Sequence, residues 1–269
     1  MKTKHISKIG LIFTILILSL ASISISYSAW TDTITMQGTV NTMEDFNYLC
    51  MAGFWNFNEG IGTTAHDSSI NHNNGTIHGG STWVSLGAGG YALEFNGVDG
   101  YVSVPDSPSL DISGIITVEG WVYVNNYGPG RFYTIAGKWN DRDGNYRSYL
   151  LGLSTFGAGQ PQPRFYVSTD GSNYPSADSS DLLDVGVWYH LAGTFDGNVL
   201  KIYVNGVEKG SYTFASPTSI ALNNEPLLIS GDRAGGINGR FFDGAIDNVK
   251  IYTCVLTPDE ILADYNAGH

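Results

Sequence analysis

The sequence is short of cysteine, with two among 269 residues, and short of positive charge, with 13 Lys and Arg against 25 Asp and Glu. Two cysteines exclude a disulfide-dense mini-domain, so the chain must fold by building an apolar core. A net charge of −12 argues against a phosphate-clamping surface, because nucleic-acid binding draws on clustered Lys and Arg. No nucleic-acid partner is expected. Catalytic signatures are missing as well: there is no Gly-x-Ser-x-Gly nucleophile turn, no His-Glu-x-x-His zinc motif and no phosphate-cradling Gly-rich loop. The six histidines show no metal-ligand spacing, and no internal repeat is visible.

What is present is 34 Gly beside 6 Trp, 16 Tyr and 12 Phe, which suits an all-β fold with aromatics on the sheet faces and glycines in the turns. The stretch from Trp188 to Tyr212, WYHLAGTFDGNVLKIYVNGVEKGSY, carries the clearest pattern. Asp196-Gly197-Asn198 and Asn205-Gly206 supply the positive φ angles of hairpin turns, and between them Leu200, Ile202 and Val204 alternate with Lys201 and Tyr203. A three-stranded meander follows. Its register is fixed, since a slip of one residue would turn the apolar row outward.

At the amino end, Lys2, Lys4 and Lys8 precede an apolar run from Ile9 to Ile25 and small residues up to Ala29. These are the three parts of an export signal, expected over residues 1–28. The protein is therefore expected to be secreted or at the cell surface, touching a membrane only if the segment is uncleaved. Residues 29–47 alternate Thr, Ile and Val with polar residues and have no obvious hairpin partner nearby. They read as a linker, or as a strand-like arm able to add to the sheet edge of a neighbouring molecule. Nothing divides the remaining residues, 48–268, so one domain is expected there. Thr257-Pro258-Asp259-Glu260 is good chemistry for starting a short tail helix.

Four segments carry a family resemblance: ALEFNGVDGYVSV at 92–104, ITVEGWVYV at 116–124, the WYHLAGTFDG and LKIYVNG runs of the meander, and FFDGAIDNVKIY at 241–252. Together they resemble the laminin G-like jelly-roll domains of the concanavalin A-like lectin/glucanase superfamily. Trp-Thr-Asp and Gly-Thr-Val-Asn-Thr in the arm resemble the mature starts of SipW-processed, TasA-like exported proteins. The first resemblance implies an antiparallel β-sandwich, or jelly roll, whose first and last strands lie side by side. That would bring Cys50 and Cys254 together as a disulfide.

The resemblance also implies sugar binding, adhesion or an accessory role. The expected function is a non-catalytic domain recognising glycans or cell-surface proteins. A surface-filament subunit self-assembling through the arm is the alternative. A glycan-cleaving enzyme is the least supported reading, because the Glu-x-Asp-x-Glu strand of the glucanase branch is absent and Glu94 and Glu119 stand alone. Calcium (Ca2+) is implied where the first long loop meets the closing strand. Asp67 and Asp247 are the positions carried over, with Asn74 and Asp243 as lesser ligands. Asp232, in Gly-Asp-Arg-Ala-Gly-Gly, resembles the place where pentraxin-like relatives hold a ligand through calcium. For a sugar, Trp139 with Asp141 and Arg142, and Tyr146 close by, give the best pairing of an aromatic face with polar groups in or near loops, while Trp55, Trp121 and Trp188 read as core.

Overall fold

A computed structural model describes residues 23–29, 32–38, 49–87, 90–128, 131–140, 146–155, 159–231 and 241–269. The chain divides into two compact units, Met1–Asp45 and Phe46–His269. In the first, β1 (Ile23–Ala29) pairs antiparallel with β2 (Asp32–Gly38), from Ile23 opposite Gly38 to Ala29 opposite Asp32. The arm thus has the hairpin partner that its sequence did not disclose. That partner, ISISYSA, ends the apolar run of the export segment and also alternates with the period of a strand.

The second unit is a sandwich of two antiparallel sheets. One runs β13 (Ser176–Asp178), β12 (Gln162–Val167), β11 (Tyr146–Ser154), β10 (Phe132–Asn140), β17 (Leu227–Ile229), β8 (Tyr101–Val104), β5 (Gly75–His78), β4 (Thr64–Ala65). The other runs β16 (Val207–Thr213), β15 (Val199–Val204), β14 (Trp188–Phe195), β9 (Ile116–Val124), β18 (Asp243–Tyr252), β7 (Gly90–Asn96), β6 (Ser81–Gly87), with β3 (Met51–Trp55) also on β18. The meander pairs in the expected register, Leu200 opposite Phe195 and Tyr212. Leu200, Ile202 and Val204 are buried between the sheets with Val118, Val122, Ile246 and Ile251. Strands β4 to β6 lie in or just after residues 58–80, which read as loop from their crowding of Gly, Asn, Ser, Thr and His. They are short or half-exposed, so no sustained apolar period marks them.

Where the sheets approach closely, bulk is excluded. A Cβ on Gly193 of β14 would lie 2.2 Å from the Phe165 ring of β12. The β3–β18 pairing sets the chain ends of the sandwich side by side, and Cys50 is bonded to Cys254 across a Cα–Cα distance of 5.8 Å. Thr253 N donates to the Cys50 carbonyl at 2.7 Å beside the bridge.

Helix α1 (Pro258–Ala267) starts in a capping box formed by Thr257 and Glu260. Its buried Ile261 packs on Ala192, Tyr203, Tyr252 and Leu256, covering the outer face of the second sheet. This corrects the reading of two tryptophans. Trp55 is in the inter-sheet core, but Trp121 faces outward against the Tyr265 ring at 5.6 Å and Trp188 packs on His269 at 4.3 Å. Strand periodicity marks a buried face without saying whether a sheet or a helix covers it. Among the described residues no helix is long and apolar enough to cross a membrane.

Candidate functional site

The outer face of the first sheet carries an aromatic and basic patch. Strand β10 slips register against β11 at Gly137/Trp139, a bulge of the kind that re-aims a side chain. Trp139 lies in this strand and is 4 % exposed, so it is not the loop aromatic its sequence context implies. It forms a small second core outside the sandwich with Leu150 and Tyr166, against which Phe132 packs. Tyr174 stands edge-on to Trp139 at 5.7 Å and leaves 50 % of its surface in solvent. The Arg147 guanidinium lies 4.7 Å from the Tyr174 ring centre and donates to the carbonyls of Gly171 and Ser172 at 3.3 and 3.2 Å. Asp170 fixes the turn that presents Tyr174, accepting from the amides of Ser172 and Asn173, and these bonds hold its carboxyl below the usual range. The result is an exposed aromatic on a rigid mount beside cationic and carbonyl groups, an arrangement suited to an apolar ring face that carries hydroxyls.

Tyr146, 44 % exposed at the start of β11, belongs to the same strand as Arg147. Asp141, Arg142 and Asp232 lie outside the described residues. Arg147 and Tyr166 were not singled out from sequence. Tyr166 falls on the off-core half of the alternation in RFYV, but Arg147 shares the parity of the core residues Tyr149 and Leu151 and reaches the outer face only through the register shift between Leu150 and Arg147, which no local pattern marks.

The residues implied for calcium behave differently from one another. Asp67 is buried, and its carboxylate accepts four hydrogen bonds: from the amides of Phe54 and Ser69 at Oδ1, and from the Asn73 amide and the Ser69 hydroxyl at Oδ2. Asn74 Oδ1 accepts from the Asp67 amide at 2.9 Å. These contacts tie the first long loop to β3 and use the oxygens that an ion would need. Asp243 lines a rim cleft of about 250 Å3 with Gly97, Asn126, Tyr127, Tyr133 and Phe241, and burial raises its carboxyl pKa against the opposing Asn126 bond. Asp247 sits on the outer face of β18, buried, with its pKa pushed up to about 7 by desolvation. Among the described residues no three His, Cys, Asp or Glu side chains gather as a metal-holding group.

Beneath α1 lies a charge cluster that sequence did not reveal. Glu119 does not face solvent: it is fully buried in β9, 3.1 Å from Lys250, which also holds Asp264 of α1 at 2.7 Å. Burial pushes the Glu119 carboxyl up to about 8, with Lys250 offsetting part of the effect. His190 Nε2 lies 3.6 Å from Glu119, and desolvation pulls its pKa down to about 4, so the ring is neutral near pH 7. Glu119 and Asp264 thus share Lys250 beside a neutral imidazole, an arrangement that ties α1 to β9 and β18.

A family model described as the concanavalin A-like lectin/glucanases superfamily matches residues 96–262. No curated protein matches the chain in sequence. Domain 4 of AbnA, a GH43 extracellular arabinanase from Geobacillus stearothermophilus, solved in complex with arabinotriose, is 22 % identical with a TM-score of 0.58, over 79 % of this chain and 97 % of that one. The binding domain of Paraclostridial Mosquitocidal Protein 1 is 16 % identical with a TM-score of 0.63, over 82 % of this chain. A Trypanosoma rangeli sialidase in complex with 2,3-difluorosialic acid is 16 % identical with a TM-score of 0.59, over 81 % of this chain. This chain spans 52 % of the mosquitocidal domain and 33 % of the sialidase. At these identities the likeness is one of fold.

Proposed function

The chain belongs to the concanavalin A-like lectin/glucanases superfamily, and from that premise we propose that it is an exported, non-catalytic binding domain that recognises glycans or glycosylated surface partners. The observation that carries this reading is the Tyr174–Trp139–Arg147 patch, an exposed ring on a rigid mount flanked by donors and acceptors. The similarity to domain 4 of AbnA, solved with arabinotriose, supports a sugar ligand. The Cys50–Cys254 bridge supports export, since such bonds persist in oxidising compartments.

A glycan array, with arabinotriose among the probes, tests the reading. Binding by the wild-type chain that is lost in Tyr174→Ala at unchanged melting temperature supports it, and binding that survives this change moves the site elsewhere. Calcium belongs to the same test. An ion that binds only the native form must raise the melting temperature. An unchanged melting temperature on chelation would leave the Asp67 loop held by its hydrogen bonds alone.

The filament reading keeps one supporting observation. Among the described residues the β1–β2 ribbon has two strands and no third strand on either edge, and an unpaired edge is able to template a strand from another molecule. Electron microscopy of the full chain and of a chain lacking residues 30–45 separates this from recognition alone.

A further inference from the structure

Lys138, near the end of β10, is a charged residue with 1 % of its surface exposed. Its Nζ lies 2.5 Å from Oδ1 of Asp106 and 2.5 Å from Oδ1 of Asp111, both on the segment between β8 and β9. That segment is pinned. Leu110 and Ile112 are buried on either side of Asp111, and the Tyr149 hydroxyl donates to the Leu110 carbonyl at 3.0 Å. Two carboxyl groups are therefore held against one amine that bulk water does not reach, and neither the ligand patch nor the α1 cluster uses them.

Charge neutrality needs one carboxylate for one ammonium. A second carboxylate on the same nitrogen adds what amide formation requires, an acyl donor together with a proton carrier. We propose that Lys138 and Asp111 condense into an intramolecular isopeptide bond, with Asp106 carrying the protons. Asp106 takes a proton from Nζ, and the freed lone pair forms a bond to Cγ of Asp111. The protons lost from Nζ pass through Asp106 to the departing Asp111 oxygen. The Cγ–O bond breaks, water leaves with that oxygen and two of the three Nζ protons, and Asp106 ends ionised as it began. The ammonium and one carboxylate cancel in charge, so no oxidant, reductant or cofactor is needed.

Two physical terms favour the condensation. Groups held in bonding contact react with effective molarities of about 10⁵–10⁸ M. An ammonium kept from water is costly, and a neutral amide removes that cost. Asp111 is the acyl partner because buried neighbours fix it on both sides, and its side chain is the less exposed of the two, 28 % against 33 %. The bond would tie this segment to β10 across 27 residues, a cross-link that reducing agents leave intact.

Intact mass spectrometry of the purified, disulfide-reduced chain decides the matter, with the termini fixed by peptide mapping. The expected mass is one water below that of the sequence, with a branched peptide joining position 138 to position 111. Lys138→Arg and Asp106→Ala should each restore the full mass. A wild-type chain of full mass overturns the proposal, and this reading needs no variant to fold. A branched peptide through Asp106 would overturn the assignment of roles.

Discussion

Replacing Glu119 with Gln tests whether the C-terminal helix is docked on a protonated carboxyl. The folded protein holds this carboxyl's proton up to about pH 8, against 4.5 for the ordinary group, chiefly because burial penalises the charge. Between those values the folded state binds one proton more than the unfolded state, so stability falls as pH rises through the interval. The contribution is complete below about pH 4.5 and gone above about pH 8. At about 1.4 kcal/mol per pH unit, it amounts to about 3–5 kcal/mol. Gln keeps the shape and cannot ionise. The stability of Glu119→Gln relative to wild type should therefore rise by that amount between pH 5 and pH 8.5, as read from denaturant unfolding of both chains. His190 and Asp247 also titrate with folding, His190 losing stability as pH falls from 6.5 towards 4 and Asp247 as pH rises towards 7; Asp247 drops out of the difference between the two chains, whereas His190, 3.6 Å from Glu119, adds a coupled contribution only below about pH 6.5. Parallel pH profiles would refute the reasoning and mean that Glu119 is ionised beside Lys250 throughout.

Closing a loop of 204 residues, the Cys50–Cys254 bridge should contribute about 5 kcal/mol by chain entropy. The Cys50→Ala/Cys254→Ala double variant should lose stability of that order in thermal melts, and an unchanged melting temperature would show that β3 and β18 are held by pairing alone. Ile202→Ala empties a fully buried site between the sheets and should cost about 2–5 kcal/mol. A loss below about 1 kcal/mol would mean that the core relaxes around the gap.

The alternation of Leu200, Ile202 and Val204 and the two glycine turns were enough to place the meander, because both signals are local: a period of two and a positive φ. The capping box of α1 was local in the same way. The cysteine pairing required the family's strand order, since residues 204 apart carry no mutual signal in the chain. The aromatic patch was half visible. Trp139 was picked out as an aromatic next to polar residues, but its partners Tyr166 and Tyr174 come from another strand and a loop.

Sequence by itself determined which residues of β15 turn toward the sandwich interior, because side-chain direction alternates along a regular strand and only a bulge resets it. Tertiary structure decided what covers the other side. Glu119, Lys250 and Tyr252 share an outward face that periodicity would have given to solvent. Only the return of α1 over that face buries them and forces one carboxyl to keep its proton. The Lys138 contacts with Asp106 and Asp111 arise likewise from a segment folded back on a strand about thirty residues later, a meeting set by chain path and by no local pattern.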